Sequence, residues 1–368
     1  MKQFKFLWIL AVGLLALTMV SCENQDIEFP DFDINSVYFA YQYPVRTIVL
    51  GEDIVDNTLD NEHKLKIYAT MGGVYENTKR IAIDISVNNA LTNNLFFDDD
   101  SPVQAMPSNY YTLAADQIIL DGTLLDGVEV QLTDAFFADP QSLINTYVIP
   151  LRMNSVSNAD SILSGVPKFD GAVRGNDADW DVQPKDYVLY CVKYINPWHA
   201  NYLRRGEDVI TRDGVTSTVV RHNTYVEDDE VIKLSTRSLN AVQLPMNFTN
   251  NEGQYLNFKV KLNFDDNQNV TVTPFEESYQ LNDTVRVYNI AATGSGQFVK
   301  DGEKKSWGNK DRDALYLQYN LAYEVEIQYP MAGLPTDYEE VAYSTVDTLV
   351  VRDRGVSMET FAPSYVVN

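Results

Sequence analysis

Cysteine is nearly absent from this chain. There are two in 368 residues, Cys22 and Cys191. If Cys22 has another use, no intrachain disulfide is expected, and stability must come from packed cores. Histidine is almost as scarce, with only His63, His199 and His222. No HExxH, GxSxG, P-loop or helix-opening GxGxxG occurs, which removes the common metalloprotease, serine-hydrolase and nucleotide-binding signatures. The glycine-rich run Gly294-Ser295-Gly296 follows a strand-like stretch and reads as a turn. Basic residues are also short: 28 Lys and Arg face 52 Asp and Glu, a net charge of −24. Such a surface repels phosphate backbones and anionic lipid, so nucleic acid is excluded and neutral ligands are the natural partners. There is no low-complexity tract, heptad pattern or 20–50-residue repeat.

One long apolar run is present. Lys2 and Lys5 precede Phe6 to Val20, which is apolar apart from Gly13 and Thr18. A positive start followed by about 15 apolar residues fits a secretory signal and is short of the roughly 20 that a membrane-spanning helix needs. The run ends at Met19-Val20-Ser21-Cys22 and is followed by Glu23, Asn24, Gln25, Asp26 and Glu28. This resembles the lipobox of bacterial lipoproteins, with Met19 where Leu is commoner. The acidic segment resembles the surface-export signal of Bacteroidetes lipoproteins. The expectation is a signal peptide over 1–21 and a lipidated Cys22 on an acidic tether over 22–34. The body would then be anchored to a membrane rather than spanning it, in the outer membrane and exposed at the cell surface.

The rest reads as strands. The chain is aromatic-rich, with 23 Tyr, 16 Phe and 4 Trp, which favours β structure. Ile81, Ile83, Ile85 and Val87 share one face of an alternating stretch, as do Leu256, Phe258, Val260, Leu262 and Phe264. Leu315 to Tyr329 alternates without a break, long for an open sheet and suited to a barrel. Pro150, in the stretch Tyr147–Met153, suggests an edge strand or a bulge. Segments near 91–96 and 134–145 have room for a helical turn or two. Residues 155–184 are dense in turn chemistry and read as a loop or a partly disordered insertion. Tyr187–Ile195 is a continuous apolar strand, in which Cys191 is a buried free thiol. A domain boundary is expected at Asn196-Pro197. The fold class is all-β, with a β-sandwich over 35–195 and a barrel-like domain over 196–368.

Val37-Tyr38-Phe39, Pro107-Ser108-Asn109-Tyr110-Tyr111 and Tyr147-Val148-Ile149-Pro150-Leu151-Arg152 resemble DUF1735, an N-terminal domain of Bacteroidetes lipoproteins. The stretches Asn196 to Gly206 and Ser306 to Leu317 resemble DUF5627, the domain that often follows it. The resemblance implies an immunoglobulin-like sandwich followed by a barrel-like, calycin- or lipocalin-like, domain. It also implies a setting in polysaccharide utilisation, among surface glycan-binding lipoproteins. An outer-membrane transporter is a partner in that setting.

Sugar rings stack an apolar C–H face on flat aromatic side chains, and their hydroxyls bond to planar polar groups. Two polar, tryptophan-bearing stretches meet this description. One is Trp307 with Asn309, Asp311 and Arg312; the other is Trp198 with Tyr202. The alternative is that both tryptophans plug barrel ends and that Arg312 pairs locally with Asp311 or Asp313. Glycoside hydrolysis needs only two carboxyls about 5–9.5 Å apart, and among 52 acidic residues nothing singles out a pair. Asp177-x-Asp179-x-Asp181 begins a calcium-loop spacing. It departs from that pattern at Val182 and Val188 and reads as a solvated acidic loop. The expectation is therefore a non-catalytic glycan-binding lipoprotein without cofactor or metal. A structural lipoprotein that docks a partner protein is the alternative, and a glycoside hydrolase a further one.

Overall fold

The computed structural model describes residues 31–329 and 334–366. The signal segment and Cys22 lie outside them. No helix among the described residues is long and apolar enough to cross a membrane.

Residues up to Ile195 form a sandwich of two sheets. One contains Ser36–Tyr38, Lys64–Gly72, Leu125–Leu132, Tyr111–Leu113 and Ser161–Ile162. The other is built on Pro44–Val49, Tyr187–Ile195, Tyr147–Ser157, Arg80–Val87 and Gln117–Asp121. Alternation decides which side chains meet between them. Ile67, Val130, Ile83, Leu151 and Val192 point inward and are buried in one cluster, each stabilising the fold by ~1.5–3 kcal/mol. Cys191 lies on the other face of its strand, fully buried and free, with burial pushing its thiol up to about 12.

Pro150 departs from expectation. It sits in Tyr147–Ser157, an interior strand paired on both sides, opposite Leu189. The neighbouring strand Arg80–Val87 ends at Val87, opposite Leu151, and the Pro150 carbonyl there accepts from the Asn88 amide at 2.8 Å. The missing N–H thus falls past the end of the ladder, where no strand needs it. A bulge does follow, between Met153 and Ser155. Residues 155–184 are built rather than loose. Val166–Pro167 pairs with Trp180–Val182, and the Trp180 indole is buried and donates to the Val173 carbonyl at 2.9 Å.

From Ala200 the chain winds a closed antiparallel barrel. Its strands follow the order Ala200–Arg212, Glu230–Ser238, Ala241–Thr249, Tyr255–Phe264, Asn269–Pro274, Val285–Glu303, Arg312–Ile327 and Asp337–Asp353. The last pairs back with the first from Asn201↔Asp353 to Arg212↔Val341, so the sheet has no free edge there. The long alternating stretch foreseen in the sequence is the strand Arg312–Ile327. Leu244, Phe258, Val260, Leu317, Leu321 and Val325 fill the interior. One end of the barrel meets the sandwich, where Arg354 donates to the carbonyls of Leu50, Glu52, Asn196 and His199 at 2.8–3.0 Å.

The chain does not finish in the barrel. Glu359–Thr360 pairs with Pro44–Val49, and Ser364–Tyr365 pairs with Leu95–Phe96, both in the N-terminal sandwich. Phe361 is buried there against Tyr43 and Phe97. The span expected for the second domain therefore ends in strands that complete the first.

Candidate functional site

Trp198 and Tyr202 present no ring to solvent. Trp198 is 6% exposed, stacks on Phe264 at 3.9 Å and donates its indole N–H to Gln268 Oε1 at 2.9 Å. Tyr202 is fully buried and donates its hydroxyl to the Trp198 carbonyl at 2.8 Å. Both close the barrel end that faces the sandwich. Trp307 is half-buried, with its N–H on the Val351 carbonyl at 3.1 Å. The Arg312 guanidinium lies 3.5 Å over its ring and covers that face. Asp311 is exposed but accepts from Lys304 Nζ at 3.1 Å and the Lys305 amide at 3.0 Å. Asn309 is exposed in the same loop, at positive φ beside Gly308. The structure thus keeps Trp307, Asn309, Asp311 and Arg312 together in a self-bonded loop, with Trp307 held on Val351, the residue opposite the buried Tyr202 in register.

A different constellation lies toward the other end of the barrel. One edge of Ala200–Arg212 pairs with Glu230–Ser238 as far as Arg204, then with Val215–Arg221 from Gly206 onward. The ladder from Glu230–Ser238 to Ala241–Thr249 covers only Ser235 to Ser238. The wall therefore parts between Arg204, Arg221, Glu230 and the strand end Met246–Thr249. A hollow of about 290 Å³ opens there. Its apolar lining is Ile210, Met246, Phe248, Tyr255 and Tyr343. Its polar lining includes Arg204, Asp208, Arg221 and Glu230. Phe248 packs on Tyr343 at 4.4 Å, while Tyr255 is 73% exposed at the rim.

Beneath it lies a buried ion network. Arg204 donates through Nε and Nη2 to Asp347 Oδ2 at 3.0 and 2.9 Å, and the Tyr319 hydroxyl adds a third bond to that oxygen at 3.0 Å. Arg221 Nη2 reaches Asp347 Oδ1 at 2.7 Å. Arg221 also grips Asp208 through Nε at 2.7 Å, and the Thr345 hydroxyl donates to Asp208 at 2.7 Å. Gly206 is required here, because a Cβ would run into the Asp347 carboxylate and the Val346 carbonyl. Burial works to raise the Asp208 pKa, but the Arg221 and Thr345 hydrogen bonds hold it below the usual carboxylate range. Arg221 is shifted up: burial opposes its charge, and Asp208 and Asp347 more than offset that.

The satisfied atoms are the carboxylate oxygens of Asp208 and Asp347; the spare capacity lies in donors. Arg221 Nη1 is shielded from solvent and has no hydrogen-bond partner. Arg204 Nη1 faces Glu230 at 3.6 Å, an ion-pair distance rather than a hydrogen bond. The arrangement offers aromatic faces beside guanidinium N–H groups, which suits an uncharged, oxygen-rich ring. Two other hollows lack aromatic walls. One, of about 340 Å³, lies by Arg205, Glu207 and His222; the other, of about 280 Å³, lies at the domain junction by Arg46, Asp53 and Arg354. No cluster of His, Cys, Asp and Glu suited to a metal occurs among the described residues.

Fold and site together define a two-domain all-β protein whose barrel carries an aromatic and guanidinium-lined opening. Residues 197–355 match the family described as "Domain of unknown function (DUF5627)", and residues 32–160 match a family of N-terminal domains. A Bacteroides ovatus protein of unknown function with a crystal structure is 42% identical, over 91% of this chain and 100% of that chain, with a TM-score of 0.80. The chain belongs to that protein's family and carries a DUF5627 domain as its barrel. Two remoter structures come from Bacteroides. A multidomain protein including DUF1735, from B. ovatus, is 10% identical over 88% of this chain and 99% of that one, TM-score 0.37. An auxiliary nutrient binding protein from B. thetaiotaomicron is 11% identical over 83% of this chain and 90% of that one, TM-score 0.36. At such scores neither bears on what this chain binds. No curated protein matches the chain.

Proposed function

We propose that this protein is a cell-surface lipoprotein, anchored to the outer membrane through Cys22, that captures a glycan at the barrel opening without converting it. The observation that carries the binding site is the opening itself. The exposed Tyr255 and the partly exposed Phe248 supply ring faces, and Arg204 Nη1 supplies a donor, around a volume of about 290 Å³. That is near the lower end of small-molecule pockets. A binding role is favoured over hydrolysis because the carboxylate oxygens of Asp208 and Asp347 are taken by arginine, Thr345 and Tyr319 donors, which leaves Glu230 without a free carboxylate partner in the lining of the opening. The N-terminal sandwich, on the resemblance of its strands to DUF1735, is the spacer between lipid and barrel, and a polysaccharide-utilisation system with its outer-membrane transporter is the setting.

Affinity electrophoresis of the full-length chain in detergent tests the site. One or more polysaccharides should retard it, and Tyr255→Ala should weaken the retardation about ten-fold while leaving the melting temperature unchanged. A folded chain retarded by no glycan refutes the reading. Fractionation tests the anchor: Cys22→Ser should release the protein from membranes, and a variant that still sediments with the outer membrane refutes it.

A further inference from the structure

Glu230 is the one charged group at the opening whose role the network leaves unexplained. It begins the strand Glu230–Ser238, opposite Arg204 in register, with its side chain half exposed at the rim. Its carboxylate stands 3.6 Å from Arg204 Nη1, the outward nitrogen of a guanidinium otherwise buried. Below it the charges already cancel: Arg204 and Arg221 face Asp208 and Asp347. Glu230 therefore leaves the opening with one negative charge in excess. It places that charge beside the donor that an incoming anion would otherwise seek.

We propose that Glu230 is a specificity-determining residue that makes this opening select neutral sugars and reject uronic acids. The proposal rests on the glycan-binding reading above. A carboxylate on the ligand would have to approach Arg204 Nη1 past a like charge, at a site where a neighbouring guanidinium charge is already spent on Asp208 and Asp347. A sugar hydroxyl or ring oxygen meets no such charge. It can accept from Arg204 Nη1, which Glu230 approaches only to 3.6 Å, while a ring C–H face lies on Tyr255 or Phe248. Discrimination between the neutral and acidic forms of one sugar is thus assigned to a repulsive group and not to an added contact.

The test uses matched polymers, each neutral polysaccharide beside its C6-oxidised form, in which primary hydroxyls have become carboxylates. Affinity electrophoresis of the full-length chain in detergent should show retardation by a neutral polymer and at least ten-fold weaker retardation by its oxidised form. Glu230→Gln, which keeps the shape and removes the charge, should close most of that gap by strengthening binding to the oxidised polymer. Circular dichroism confirms its fold. The proposal is overturned if the wild-type chain binds the oxidised polymer as well as the neutral one, or if Glu230→Gln leaves the gap unchanged. Retardation by no polymer, or retardation insensitive to Tyr255→Ala, overturns the glycan-binding reading itself and this proposal with it. Binding at the opening with the wrong charge preference overturns only the role of Glu230.

Discussion

Trp198 and Tyr255 stand at opposite ends of one barrel, and one is 6% exposed while the other is 73% exposed. The arginines differ in the same way. Arg354, at the junction, gives its donors to four main-chain carbonyls of the sandwich and the linker. Arg204 and Arg221, at the opening, are held by carboxylates, and Arg221 keeps a shielded nitrogen unpartnered. The same residue types are used for cohesion at one end and left with spare capacity at the other. A buried donor left unpaired costs about 1–3 kcal/mol, a cost that Arg354 avoids at the junction and that the network at the opening carries.

Substitutions at the two ends sharpen the contrast. Asp347→Ala should have the largest effect. It strands two arginines and should cost ~3–5 kcal/mol of unfolding free energy in a denaturant titration. A variant of unchanged stability would mean that the network does not hold the wall. Trp198→Ala should also cost ~3–5 kcal/mol by opening a void beside Phe264. It should leave glycan affinity intact in the molecules that fold; lost affinity without lost stability would place the site at the wrong end.

The ends should also titrate in different windows. His199, at the junction, is pushed down to about 4, first by burial and then by the charges of Lys233, Arg354 and Lys193. The unfolded chain therefore binds the proton more readily. The stabilising contribution of neutral His199 is complete above about 6.5 and is lost as pH falls toward 4, up to about 3 kcal/mol. Asp208 at the opening, with its pKa held down, contributes fully above about 4 and loses that contribution only below, as pH falls through its folded pKa. Melting curves of His199→Gln and Asp208→Asn across pH 3–7 should each flatten in one window only. The smallest stability effect belongs to Tyr255→Ala, within ~0.5 kcal/mol, although it should weaken glycan binding about ten-fold, or ~1.4 kcal/mol.

Period-2 patterning was enough to find Arg80–Val87, Tyr255–Phe264 and Arg312–Ile327 and to assign an all-β chain, because burial on one face of a strand is a local property. Pairing is not local. Trp198 looked like a platform because its neighbours in sequence are polar, but Phe264 and Gln268, some seventy residues on, cover it. The opening was missed for the same reason: Arg204 and Asp347 lie 143 residues apart. A signal did exist. Val341, Tyr343, Thr345, Asp347 and Leu349 share the inward face of their strand, and a carboxylate in such a series marks either a buried pair or a site. The wall opens because Val215–Arg221 takes over one edge of the first strand, and that depends on register.

The return of residues 359–366 to the sandwich has a consequence for synthesis. Chains are made from the N-terminus, and domains fold as they emerge. Here the sheet built on Pro44–Val49 is left with the apolar patch around Tyr43, Leu95 and Phe97 uncovered until Phe361 arrives, after the whole barrel has been made. The barrel is thus an insertion between two parts of one domain, and its closure brings residue 361 within reach of its socket. Expressed without residues 356–366, the chain should still wind its barrel but carry an exposed apolar strip along the sandwich, at the edge that Glu359–Thr360 otherwise protects.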